Sequence, residues 1–225
     1  MKRSKINEAI KEMEQMIRQC GIYLPPFCGF TPDEWKDKGA EYDEIRDNML
    51  GWDISDCGLG RFDEVGFALV TLRNGNLKVE KYQKPYAEKL MYVKEGQKAP
   101  MHFHWYKMED IINRGGGNIL IRVYNAAKEE QMSDTDVTIC SDGRCYTVKP
   151  GTQVKLMPGE SITICPHMYH DFETEKGTGP VLLGEVSMCN DDENDNRFYE
   201  PIRRFSRIEE DETPYRLLCN EYYTA

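Results

Sequence analysis

Two histidines stand one residue apart in "GQKAPMHFHWYKMEDIINRGGG", residues 96–117, and a glutamate follows five residues after the second. On a strand, His102 and His104 face the same side, because successive side chains alternate. Two imidazole nitrogens so placed can converge on one ion, and imidazole suits first-row transition metals. Glu109 can add a charged oxygen donor, but its offset from His104 is odd. A continuous strand would turn it to the opposite face, so the site requires a bend, bulge or corner between Trp105 and Met108. The other two histidines, His167 and His170, lie in "ITICPHMYHDF". There the apolar "SITICP" reads as a buried strand, and "PHMY" as a turn that delivers His170 inward onto the next strand. His167 falls in the turn and is the weaker ligand. On spacing alone, a half-buried strand with two polar face residues competes with the metal site.

The elements that must hold these residues are short strands. From about residue 62 the chain runs through "GFALVTLRNGNLKVEKY", "EKLMYV", "APMHFHW", "NILIRVY", "DVTIC", "CYTV", "QVKLM", "SITICP" and "PVLLGEVSM". Asn74-Gly75 predicts a tight hairpin, and "KEGQ", "SDGR" and "MPGE" predict further turns. "RGGGN" reads as a strand-connecting turn, since it is no Walker sequence. Ahead of the strands, Ile6, Ile10, Met13 and Ile17 form a helical stripe that ends near Gly21. A second helix starts at "TPDEW", with Thr31 and Glu34 as a capping box and Pro32 in the first turn, and continues through Glu41 to Asp47. The acidic "DDENDN" reads as a solvated loop rather than a site for a hard cation.

The 225 residues, 40% hydrophobic, suit one domain: a helical and loop layer over 1–61, a β core over 62–190 and a C-terminal wrap over 191–225. A formal charge of −10 argues against nucleic acid and anionic membranes as partners. No apolar run approaches the length of a membrane span, and the charged start lacks a secretory h-region, so a cytoplasmic protein is expected. The eight cysteines contain no C-x-x-C and are expected free and mostly buried, although Cys140 and Cys145 flank a turn where a cross-strand pair is conceivable.

Gly96, His102-x-His104, Glu109 and Gly116 resemble the first cupin motif in full, and "PGESITICPHMYH" resembles the second, with Pro158, Gly159 and His170 in order. Pro158 and Gly159 adjoin instead of being one residue apart, and no asparagine follows His170 three or four residues on. Within cupins, "KPYAEKL", "MHFHWYKMEDIINRGGGN" and "GEVSMCNDDENDNRFYEPI" resemble the D-lyxose isomerase family, with "GIYLPPF" and "LLCNEY" extending the likeness toward both ends. The resemblance implies a mainly β fold: a cupin-type, jelly-roll-like antiparallel β-barrel with N-terminal helices and a wrapping C-terminal tail. It implies a divalent ion, Mn2+, held by His102, His104, Glu109 and His170. The implied reaction is D-lyxose to D-xylulose, with D-mannose to D-fructose as the related activity, on a homodimer.

Such a reaction moves hydrogen between C1 and C2, so it needs a Lewis acid and a proton-transfer pair. Lys107 shares strand parity with Glu109, and burial beside a cation would push its pKa down. In "PVLLGEVSM", Leu183, Glu185 and Ser187 share one face. Lys107 and Glu185 are therefore the expected acid/base pair, with their order open. Lys89, Glu200 and Arg203 are further candidates for sugar hydroxyl contacts, and Trp105, Tyr92, Phe172 and Tyr199 for pocket walls. Two other functions fit the same residues: a metal-dependent dioxygenase, for which no lysine–glutamate pair is needed, and a sugar-binding cupin without catalysis.

Overall fold

The computed structural model describes residues 1–192, 194–203 and 205–223, so Glu193 of the acidic run lies outside the described residues. The chain opens with α1 (Arg3–Gln19), whose stripe of Ile6, Ile10, Met13 and Ile17 is buried. Gly21 follows it at φ +71°, the left-handed conformation that lets the chain turn away. The capping box of Thr31 and Glu34 is present at the start of α2 (Pro32–Lys36). The helix does not run on to Asp47 unbroken. A 3-10 turn, Ala40–Tyr42, intervenes before α3 (Asp43–Asp47). No helix among the described residues is long and apolar enough to cross a membrane.

Among the described residues thirteen strands follow: β1 (Gly51–Ser55), β2 (Phe67–Arg73), β3 (Tyr86–Val93), β4 (Lys98–Phe103), β5 (Glu109–Gly116), β6 (Ile119–Asn125) and β7 (Val137–Ser141), then β8 (Arg144–Val148), β9 (Gln153–Leu156), β10 (Ser161–Ile164), β11 (Met168–Thr174), β12 (Val181–Met188) and β13 (Arg197–Phe198). They form two antiparallel sheets, an eight-stranded one in the order β1-β2-β3-β12-β5-β10-β7-β8 and a five-stranded one in the order β13-β4-β11-β6-β9.

The expected barrel is not formed. Among the described residues no strand ladder joins the two sheets, and each keeps two edges. The edge of β1 is taken up by the C-terminal segment: Trp52 bridges Leu218, and Cys219 N–H donates to the Trp52 carbonyl at 2.7 Å. Backbone groups that closure would need are thus bonded elsewhere, and the sheets are held together by side chains instead. Between them lies an aliphatic core that includes Ile111, Ile121, Val123, Ile139, Ile162 and Leu183. A second core, with Ile10, Met13, Trp52, Val70 and Leu182, seals α1 against the outer face of the larger sheet. The tail crosses this helix, where Arg3 is buried against Glu210 and Glu221.

Three local expectations change. First, β1 lies inside the stretch read as helix and loop. Second, the strand-connecting turn read in "RGGGN" is shorter than expected: Arg114 to Gly116 still belong to β5, and only Gly117 and Asn118 connect it to β6. Gly116, at φ +93°, passes so close to Pro180 that a Cβ would stand 2.2 Å from that carbonyl. Third, Asn74-Gly75 is not a tight hairpin, although β2 and β3 do pair. Neither residue adopts positive φ, and the Asn74 side chain is spent on distant backbone at Asn48 and Asn190. The "SDGR" turn forms, and Cys140 and Cys145 are cross-strand partners on β7 and β8. Among the described residues no disulfide is formed. Cys28, Cys57, Cys189 and Cys219 are buried, whereas Cys145 is exposed.

Candidate active site

The histidine strand β4 lies in the smaller sheet, where His102 is the direct antiparallel partner of His170 on β11. Side-chain alternation puts His102 and His104 on the face turned toward the larger sheet, and inward-facing His170 meets them. One ring nitrogen from each of the three lies within 4.8 Å of the others. Glu109 reaches the same point because the strand does not continue. The chain leaves β4 after Phe103, runs without strand structure through 104–108, and re-enters as β5 in the other sheet. A crossing between sheets thus supplies the corner that the odd spacing requires. Glu109 Oε1 stands 3.1 Å from His170 Nε2 and 3.5 Å from His104 Nε2.

The donor set fits a divalent metal. In each histidine the Nδ1 donates to a backbone carbonyl: His102 to Pro100 at 2.8 Å, His104 to Asp195 at 2.8 Å and His170 to Met168 at 3.1 Å. That fixes the tautomer and leaves each Nε2 with its lone pair, the usual state of a metal-binding imidazole. His104 Nε2 is buried and has no hydrogen-bond partner among the described residues. Burial, reinforced for His102 by the neighbouring histidines, holds the pKa of His102 and His104 below the ordinary range, so both rings are neutral. Burial would raise Glu109, but the Lys107 ammonium overcomes it and holds the carboxyl well below its usual value.

Beside this cluster lies a network of buried charges. Lys107 Nζ is 2.6 Å from Glu109 Oε2 and 3.1 Å from Glu185 Oε1. Lys89 Nζ is 3.2 Å from the same Glu185 oxygen, and Ser187 Oγ donates to it at 3.1 Å. Asn190 Oδ1 accepts from Lys89 at 2.6 Å and from Lys107 at 3.4 Å. Lys107 differs from expectation in two respects. It sits on the crossing rather than on a strand, so strand parity is not what turns it inward. Burial works to lower its pKa, yet Glu109 and Glu185 reverse this and raise it, so the group is an ammonium.

These residues line a cavity of about 70 Å³, walled also by Phe67, Met91, Phe172 and Phe198. It adjoins a larger cleft of about 670 Å³, and the two share Asn190, Asp192, Asn196 and Phe198. Of the expected aromatic walls, Phe172 is in place. Tyr92 packs instead in the core under α1, Trp105 donates to Glu130, and Tyr199 is exposed. Lys89 belongs to the cavity. Glu200 and Arg203 do not: both are exposed, and the Arg203 side chain lies over Gly58. His167 is exposed in its turn at φ +61°. Asn190 and Asp195 were not singled out from the sequence. No spacing rule marks a polar residue whose partners lie some 90 positions away, and only the family-like "DENDNRFYEP" drew attention to the segment.

The chain matches the profile of the D-lyxose isomerase family over residues 1–222. It is 47% identical over 223 residues to the D-lyxose/D-mannose isomerase of Escherichia coli O157:H7, covering 99% of this chain and 98% of that protein. The D-lyxose/D-mannose isomerase of Serratia proteamaculans is 46% identical with the same coverage. The chain belongs to the D-lyxose isomerase family. Solved structures agree on the fold of this D-lyxose isomerase family member. L-ribose isomerase of Cellulomonas parahominis superposes with a TM-score of 0.56 at 17% identity, over 93% of this chain and 98% of that one. L-ribose isomerase of Acinetobacter sp. DL28 does so with 0.56 at 15%, over 93% and 98%.

Proposed function

We propose that this enzyme interconverts D-lyxose and D-xylulose, and D-mannose and D-fructose, with Mn2+ held by His102, His104, His170 and Glu109. The observation that carries the reading is the pairing of three Nε2 lone pairs, each freed by a backbone bond at Nδ1, with a buried lysine–glutamate pair one side chain away. When bound, the ion supplies Lewis-acid stabilisation of the negative charge that develops on the sugar oxygens. The remaining chemistry belongs to the chain. Glu185 takes the proton from C2 and returns it at C1, the two-step transfer of an aldose–ketose isomerisation. Three donors converge on its Oε1, so we assign the transfer to Oε2. Lys107, an ammonium between two carboxylates, gives a proton to O1 as the C1 carbonyl becomes a hydroxyl and takes one back from O2 as the C2 carbonyl forms. Lys89 holds Glu185 in place and balances its charge. The apolar walls, Phe67, Met91 and Phe172, keep water away from the exchanging proton.

The reading includes a single domain over 1–225, a homodimer by family likeness, and a cytoplasmic location, supported by the acidic charge and eight free thiols. Oxygen chemistry at the same ligands would have no use for the lysine–glutamate pair, which favours the isomerase. The test is turnover of D-lyxose in deuterated water by metal-free protein, by protein with Mn2+, and by Glu185→Gln with Mn2+. Mn2+-dependent D-xylulose with solvent deuterium at carbon is expected, falling about 10²–10⁴-fold in kcat for the variant. Folded protein that turns over no sugar with any divalent ion would overturn the assignment.

A further inference from the structure

One segment of the family-like motif has no part in the chemistry so far, yet it is fastened to the metal strand at every step. Asp195 is buried at 6% exposure. Its Oδ1 accepts the Tyr106 N–H at 2.8 Å, and its Oδ2 accepts the Lys107 N–H at 2.9 Å. Its backbone carbonyl accepts the His104 Nδ1–H at 2.8 Å. Two residues on, β13 pairs with β4, setting Arg197 opposite Phe103 and Phe198 opposite His102. The Phe198 ring lies 5.3 Å from the His102 ring at 30°. Glu130 closes the outside, accepting from Arg197 at 2.8 Å and from Trp105 at 3.1 Å.

Among the described residues the crossing at 104–108 belongs to no strand ladder, although it must carry a metal-facing His104, an inward Lys107 and a turn that brings Glu109 back. Buried backbone N–H groups need acceptors, and a carboxylate has two oxygens that can grip adjacent amides at once. We infer that Asp195 is a positioning residue that sets His104 and Lys107 together, its carbonyl fixing the tautomer of the first and its carboxylate the backbone of the second. The two carboxylate bonds also hold the 195 carbonyl in place against His104, so metal binding and proton transfer are aligned through one residue, and loosening the carboxylate loosens both. This rests on the metal and acid/base roles proposed above. An asparagine at 195 keeps one acceptor and turns an amide N–H against the other backbone N–H. The grip is then halved without loss of volume.

The test compares wild type, Asp195→Asn and, as a control in the same segment, Asn194→Ala. Asn194 is exposed, and among the described residues its side chain bonds to Asp191 alone. The 15N shifts of His104 in metal-free protein read the tautomer without any metal or substrate. Mn2+ affinity by titration and the split between kcat and KM at saturating Mn2+ follow. Wild type should show a single Nδ1–H tautomer. Asp195→Asn should show mixed tautomers, Mn2+ binding weaker by about 10–100-fold, and a kcat lowered more than KM is raised. Asn194→Ala should match wild type throughout. A single tautomer with unchanged Mn2+ affinity in Asp195→Asn would overturn the inference, as would equal losses in Asn194→Ala. Should Asp195→Asn not fold, Asp195→Glu keeps the charge but displaces it by one methylene, and the same shifts and affinity are read. If wild type binds no Mn2+, the metal reading fails, while the tautomer comparison still decides the role of Asp195.

Discussion

The space between the two sheets is apolar at one end and charged at the other, and the same strands build both ends. On β5, Glu109 and Ile111 are two residues apart. On β11 so are His170 and Phe172, and on β12 so are Glu185 and Leu183. Each pair shares a face, so two residues, about 7 Å along a strand, carry the chain from a charged or polar side chain to an apolar one, with Ile111 and Phe172 touching both the cavity and the core. The two ends answer to opposite energetics. Full burial of an aliphatic side chain contributes about 1.5–3 kcal/mol. A buried ion pair must first offset several kcal/mol of lost hydration per ion, and often only breaks even. Lys89, Lys107, Glu109 and Glu185 are all about 95% buried or more, so they are held in place by their neighbours rather than being the source of stability. The apolar end therefore works as the rigid scaffold, and the charged end is positioned by it.

The comparison breaks most visibly at the metal end. His170→Ala removes the proposed metal ligand on β11, and it should cost on the order of 10³-fold or more in kcat/KM at fixed Mn2+, several kcal/mol of lost charge stabilisation. The fold should survive, because the Nδ1 bond of His170 is a local one, to the Met168 carbonyl two residues away. Activity alongside a thermal melt of the metal-free protein measures both. A variant that loses its melting transition together with its activity would mean that the charged end also holds the sheets together.

At the apolar end the prediction inverts. Ile121 is fully buried between the sheets; it pairs through its backbone with Phe172, and its aliphatic side chain offers the site no hydrogen-bonding or charged group. Ile121→Ala should lower unfolding free energy by about 2–5 kcal/mol, through lost transfer energy and the cavity left behind. The kcat per folded molecule at saturating Mn2+ should stay within about twofold. Denaturant titration with active-site counting separates the two quantities. A kcat that falls with the stability would show that the scaffold end is mechanically coupled to the chemistry.

The same contrast explains what could be read in advance. Periodicity marks residues that share an element, so α1, the inward face of Glu185 and the same-face pair His102 and His104 were legible. So was the need for a corner before Glu109, because an odd spacing is a local fact. The crossing from one sheet to the other was not legible, since which sheet a strand joins depends on partners far along the chain. Barrel closure was misjudged for that reason: the β1 edge is occupied by Leu218 and Cys219, more than 160 positions away. Asn74-Gly75 misled in the same way, its amide serving Asn190 in place of a tight turn. Lys107 was read inward by strand parity, yet it lies on a loop, and Glu109 with Glu185 reversed the expected direction of its pKa.

Glu200 and Arg203 supply the smallest effect and the sharpest boundary. Both were expected at the sugar, and both lie exposed outside the shared wall of Asn190, Asp192, Asn196 and Phe198. The Arg203 N–H donates to the Cys57 carbonyl at 3.1 Å, so its backbone anchors the tail while its side chain covers Gly58. Truncating an exposed side chain away from buried partners changes stability by about 0.5 kcal/mol at most. Glu200→Ala and Arg203→Ala should therefore leave kcat/KM for D-lyxose within about twofold and the melting transition nearly unmoved. Steady-state kinetics at saturating Mn2+ decides it. A KM raised tenfold in either variant would place the tail over the sugar during turnover, and the wall between cavity and cleft would then have to open onto residues 200–203.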